Sequence, residues 1–412
     1  MITKEIRGKH MKKRISAVTF HYMIITAGFW MSFCFFTAYA QVFLTKGAGY
    51  DKTAYGIIVA AGNIGGALLG PLLGAWIDRN RNIRHANVIN ILLILQAFIL
   101  VILRLSPVKG LVCTLSYALY MMVAIPVNAI NLDLCVRLEH AKAPLNFGLA
   151  RSMGSLGFAV LSVILGILTS ATDYRILPIA GLAVTAIQAV GNMLTNKDLK
   201  KAEADVPPEE ATVIGKSASL MTFFRENKSF CLMLFGTILI FIAHNIDGNF
   251  LLELVENLGG NETTLGYLAA FTAIVEVPVM ILSTALLRRW PCVLYIRAAF
   301  IFFILKILAY TFAPNIPLFF AARLLQAPSY ALYTVLIVTY ADETVNRKDS
   351  AKAQSLAASM AMIGAVLALL IGGWMFDHYD IRTTMMTAVV LVTVGAAIAL
   401  AATFRKRSRK SC

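Results

Sequence analysis

Apolar residues in this chain come in long blocks separated by short polar interruptions. Blocks stand at residues 17–44, 53–77, 85–104, 108–137, 147–170 and 174–194, and again at 229–254, 264–287, 293–313, 316–341, 352–376 and 382–404. Each is near or above the roughly 20 residues that carry an α-helix through a hydrocarbon core of about 30 Å. The pattern predicts an all-α polytopic membrane protein with twelve transmembrane helices. Residues 195–228 break the series: they are charged, carry Pro207–Pro208 and hold no apolar run long enough to span. They read as a cytoplasmic linker between an N-terminal six-helix bundle (1–194) and a C-terminal six-helix bundle with a basic cytoplasmic tail (229–412). Six helices on either side of a polar loop is the layout of a carrier built from two repeats.

Composition agrees. Of 412 residues, 58% are hydrophobic and 14% charged, a balance foreign to a soluble globular chain. The opening MITKEIRGKHMKKRIS resembles the basic region of a signal peptide. The apolar stretch after it is too long for one and lacks a small-residue cleavage site, so it reads as the first membrane helix. The formal charge of +15 raises nucleic acid as a partner until the bases are placed. Of 37 Lys and Arg, 28 fall at the N-terminus, the even-to-odd loops, the linker and the tail. The opposite loops hold six: Lys46, Lys52, Arg104, Lys109, Arg175 and Arg382. This asymmetry predicts cytoplasmic termini in a cell membrane and records orientation, with no nucleic acid involved. The tail is expected to touch anionic lipid.

The six cysteines are scattered without metal-ligand spacing, and HExxH, GxSxG and P-loop motifs are missing. No enzyme activity, metal or cofactor is expected.

Candidate chemistry lies in the membrane. Three bases (Arg151, Lys306, Arg323) and three acids (Asp133, Asp247, Glu276) fall inside predicted helices, with His244 one turn before Asp247. Such residues are costly unless they pair or line a pathway. Asp133 and Arg151 flank the turn at 139–142 by about nine residues each, which sets two opposite charges at one depth on adjacent helices. Glycines at 62, 66, 70 and 74 give helix 2 a smooth face, and Gly148, Gly154 and Gly157 do the same for helix 5. His21, His85, His140 and His378 are expected at solvated or interfacial helix ends. Trp30, Trp76, Trp290 and Trp374 are expected as interfacial anchors.

The stretch GPLLGAWIDRNRNIRHAN (70–87) resembles the loop 2–3 signature of the major facilitator superfamily, at Gly74, Asp78, Arg79, Arg81 and Arg84. The resemblance implies a cytoplasmic gate built on those residues. NFGLARSMGSLGFAV (146–160) resembles the fifth helix of lactose-permease-like proton symporters, a branch that includes permeases for sugars, nucleosides and aromatic acids. It implies that Arg151 binds substrate and pairs with Asp133; on an alternating-access mechanism, Asn128 and Asn131 are expected to help hold the solute. It further implies a proton-coupling charge network of Glu276 (in VEVPVMILS), Asp247, His244, Lys306 and Arg323. Helix 10 reads RLLQAPS, so Gln326 and Ser329 stand where lactose permease has a histidine and a coupling glutamate. Glu276 or Asp247 is then the expected proton carrier. The function implied is a monomeric secondary active transporter moving a small polar or anionic solute (sugar, nucleoside or carboxylate), with protons as the coupling partner. The alternative is a proton-coupled drug or metabolite exporter of the same fold.

Overall fold

A computed structural model describes residues 16–80, 84–204, 220–346 and 349–404. Twelve of its helices are long and apolar enough to span a bilayer. They are α1 (Ala17–Phe36), α2 (Lys52–Arg79), α3 (His85–Leu105), α4 (Leu111–His140), α5 (Phe147–Ala171) and α6 (Ile176–Ala204), then α7 (Lys228–Asn249), α8 (Glu262–Leu287), α9 (Cys292–Thr311), α10 (Ile316–Thr344), α11 (Ser350–His378) and α12 (Ile381–Phe404). Local sequence sets several starts: Ser16, Asp51, Asn146, Asn261 and Asn315 each accept a backbone N–H from the first turn that has no helical partner.

Four segments depart from the apolar pattern. The first block is not one helix: α1 stops at Phe36, and a short π-helical turn, Val42–Gly47, follows. The seventh breaks at Phe250 and resumes as the short helix Leu251–Asn257. The tenth is irregular at its centre, with a tightened turn at Leu324–Gln326 and a widened one at Ala327–Ala331 around Pro328. Proline cannot donate to the ladder and crowds the preceding turn, which forces that adjustment. The linker is helical at its ends, since α6 runs on to Ala204 and Leu220–Glu226 forms a helix; 205–219 lie outside the described residues. Hydropathy sees where chain is apolar, not where its helix continues into water.

Within the first six helices, α1 packs on α5 and α6, α2 on α4, and α3 on α4 and α6. Within the last six, α7 packs on α11 and α12, and α9 on α10 and α12. The halves meet chiefly through α5 with α8 and α2 with α11. Adding six to each helix number carries the first pair into the second, so the interface has the two-fold form of a repeated unit.

That interface is sealed on the face opposite the chain termini. Asp377, near the end of α11, accepts the backbone N–H groups of Lys52 (3.1 Å) and Thr53 (2.6 Å), capping α2 from the other half. Lys52 pairs with Glu253 at 3.2 Å and Lys46 with Glu256 at 2.7 Å. Tyr174 donates to Glu262 at 3.0 Å. Backbones touch here: a Cβ on Gly56 would stand 2.2 Å from Leu369 O, and one on Gly266 2.4 Å from Ser162 O. Along α2 the glycine face changes within its own half: Gly62 and Gly66 lie tight on Met121 and Ile125 of α4, whereas a Cβ on Gly70 or Gly74 would meet nothing within 4 Å.

Candidate functional site

The C-terminal half gathers its expected charges into one buried chain. His244 and Asp247 are three residues apart on α7, so one helix face presents both. Lys306 of α9, fully buried, places Nζ 3.3 Å from Asp247 Oδ1 and 2.5 Å from His244 Nδ1. An ammonium only donates, so Nδ1 is the acceptor and the imidazole proton sits on Nε2. Arg323 Nη1 donates to Asp247 Oδ2 at 3.2 Å, beneath the rings of Tyr310 and Phe319. Lys306 Nζ also donates to Gln326 Oε1 at 3.3 Å, and Gln326 Nε2 donates to Glu276 Oε1 at 2.9 Å. The result is a continuous relay: Arg323, Asp247, Lys306, Gln326, Glu276.

Gln326 counted from sequence as a lost histidine. It is the link that ties Glu276 to Lys306, and it sits where α10 tightens ahead of the widened Pro328 turn. Irregular turns of this kind recur at functional sites. The Ser329 hydroxyl is spent on Leu325 O (2.6 Å), away from the relay. Tyr330 stacks beside His244, ring centroids 4.5 Å apart.

The N-terminal half overturns one expectation. Asp133 does not pair with Arg151. It accepts from Arg137 Nε at 2.8 Å and lies 2.7 Å from His85 Nε2. Asp133 turns instead toward the start of α3, where His85 meets it. His85, expected to be solvated, is buried at that contact. Arg151 makes no ion pair among the described residues. Its guanidinium instead lies over the indole of Trp30, 4.2 Å from the ring centroid. Trp30 is therefore an interior residue and not an interfacial anchor; Trp76, Trp290 and Trp374 remain exposed near helix ends. Arg151 also feels the charge of Glu276 across the interface between halves.

Asn128 is half-buried, and Asn131 is buried with both amide atoms lacking a hydrogen-bond partner among the described residues. Gly74 faces open space, Arg79 and Arg84 are exposed, and Arg81 and the Asp78 side chain lie outside the described residues. What the structure assembles is an arginine on one half facing a buried acid–base relay on the other. Lys306 and Arg323 offset Asp247 and Glu276, so Arg151 is the surplus charge. Its planar guanidinium carries several hydrogen-bond donors.

Comparison with known proteins fits this geometry. A family model described as the MFS_1-like family matches residues 39–387. The maltose permease of Geobacillus stearothermophilus is 24% identical over 302 residues, covering 71% of this chain and 74% of that protein. A putative sugar efflux transporter of Deinococcus radiodurans is 27% identical over 159 residues, 38% of this chain and 40% of that protein. Among solved structures, the nucleoside transporter NupG superposes with a TM-score of 0.75 over 95% of this chain and 100% of its own, at 14% identity. A bacterial homologue of the iron transporter ferroportin, in an inward-facing state, gives 0.68 over 94% and 98% at 13% identity. Identities this low speak for the fold alone.

Proposed function

Because the chain belongs to the MFS_1-like family of the major facilitator superfamily, a family of multi-pass membrane transporters, we propose that it carries a sugar or nucleoside by alternating access, coupled to protons. Residues 1–194 and 229–412 act as the two moving bundles, with the termini on the cytoplasmic side of the cell membrane. On that orientation the sealed face is extracellular. The sugar class is supported by the similarity to a maltose permease, and the nucleoside class by the resemblance of residues 146–160 to the fifth helix of the proton symporters.

Arg151, with Asn128 and Asn131, holds the solute's hydroxyls from the N-terminal half. Glu276 carries the proton: it is hydrogen-bonded through Gln326 to Lys306, faces Arg151, and is the one acid of the relay without a direct base at its carboxylate. Asp247, held by Lys306 and Arg323 together, stays ionised as the relay's fixed counter-charge. Protonating Glu276 removes its charge from the gap between the halves and lets the loaded carrier reorient. Gly74, Asp78, Arg79, Arg81 and Arg84 form the inner gate. The observation that carries the reading is this pairing of a surplus arginine with a buried acid relay across an interface sealed at one end.

The test is external pH in lightly buffered, de-energised cells on adding maltose or uridine. Alkalinisation is expected, and Glu276→Gln abolishes gradient-driven accumulation while sparing exchange at equal concentrations. Acidification would indicate antiport and an exporter. Full accumulation by Glu276→Gln would remove Glu276 from the proposal.

A further inference from the structure

An arginine within a membrane span needs something to hold it, and in this chain the carboxylate expected to pair with it is engaged elsewhere. Asp133 is committed to His85 and Arg137. The nearest ordered partner of Arg151 is an uncharged ring. Its seat is built into the backbone: α1 and α5 run side by side in the same direction, and a helical side chain leans toward its own N-terminus, so Trp30 reaches back to the level of Gly154. A Cβ on Gly154 would lie 2.4 Å from Trp30 Cδ1, 2.9 Å from Cγ and 3.0 Å from Nε1. No residue but glycine admits the indole there. Phe33 and Phe29 brace the ring, with centroids 5.1 and 5.8 Å away. Arg151 is three residues before Gly154 on the same face of α5 and closes over the indole.

We propose that Trp30, seated in the notch at Gly154, is the positioning residue for Arg151, holding its guanidinium toward the solute in the role a carboxylate would otherwise fill. This rests on the reading of Arg151 as the solute-binding base. An indole aligns a guanidinium by stacking without neutralising it and leaves its in-plane N–H groups free. A carboxylate would take two of those donors. The arrangement therefore suits a solute that offers many acceptor oxygens, such as a sugar ring or a ribose, and the notch is as much part of the site as the arginine.

The experiment uses full-length protein in proteoliposomes, with radiolabelled maltose and uridine as probes. Trp30→Ala is expected to raise KM about tenfold with Vmax within twofold, and Trp30→Phe, which keeps a ring, to restore most of the loss. Gly154→Ala leaves both Trp30 and Arg151 in the sequence yet expels the indole, so it should reproduce Trp30→Ala. The double variant should be no worse than either single. Additive effects, a loss confined to Vmax, or a Gly154→Ala KM within twofold of wild type would overturn the proposal.

A ligand-free arm separates it from the transport reading. In a variant with Trp76, Trp290 and Trp374 changed to Phe, Trp30 is the sole indole. Its emission should shift on Gly154→Ala and again on Arg151→Gln, whichever solute the protein carries. Unchanged emission in both refutes the stack. Shifted emission in a protein that transports neither probe upholds the stack and sinks its assignment to these solutes.

Discussion

Asp247→Asn is the sharpest probe of the relay. Asp247 and Lys306 are fully buried, Arg323 is 3% exposed, and both bases use the one carboxylate. Substituting asparagine keeps shape but leaves two buried cations without a counter-charge and turns an amide donor toward one of them. Removing one member of a buried pair costs about 3–5 kcal/mol. With two cations stranded, the expected loss is about 5 kcal/mol. Lys306→Gln alone leaves Asp247 with Arg323 and costs less, about 1–3 kcal/mol. The double variant Asp247→Asn, Lys306→Gln removes one charge of each sign and restores the local balance, so most of the Asp247→Asn penalty should disappear. The coupling between the two positions is then at least about 2 kcal/mol, well outside the about 0.5 kcal/mol scatter of independent sites. The assay is unfolding in mixed micelles titrated with dodecyl sulfate, followed by tryptophan fluorescence, for wild type, both singles and the double. Additivity within that scatter, or an Asp247→Asn loss below about 1 kcal/mol, would show that the relay is hydrated and that its charges are not sharing a dry interior.

Two further predictions concern the glycines. Gly66→Ala forces a Cβ to within 2.7 Å of Ile125 Cβ and should destabilise by about 1–3 kcal/mol in the same assay, whereas Gly70→Ala meets nothing within 4 Å and should be neutral or slightly stabilising. Gly56→Val drives a side chain into the Leu369 carbonyl and should prevent the sealed face from closing. Cysteines placed along that face should then be alkylated faster, with transport lost and expression retained; an unchanged labelling rate would mean that the seal does not depend on this backbone contact.

Much of this molecule was legible before any coordinates. A membrane helix announces itself by length and hydropathy, and intramembrane ionisable groups by their cost, so all twelve spans and the five C-terminal ionisable residues could be named from sequence. Those five meet because each lies on the interior side of its helix, where a charge in lipid has to be. The same logic failed for Asp133 and Arg151, where several partners were available and sequence supplied no azimuth. His85, at a helix start, satisfied Asp133 instead.

What escaped notice was the uncharged half of the site. Gln326 looked like a deletion because it was compared with a histidine, yet an amide does what that position requires: it accepts from an ammonium and donates to a carboxylate in one residue. Trp30 looked like an anchor because tryptophans near membrane helix ends usually are. Gly154 looked like helix packing because a glycine in a small-residue face usually is. Each ordinary reading was sound for its residue alone. The signal lay in their conjunction with a nearby arginine that has no acid, and that conjunction spans α1 and α5, more than a hundred residues apart in sequence. A charge announces its need for a partner; a ring and a missing Cβ show their purpose only when the helices that carry them are docked.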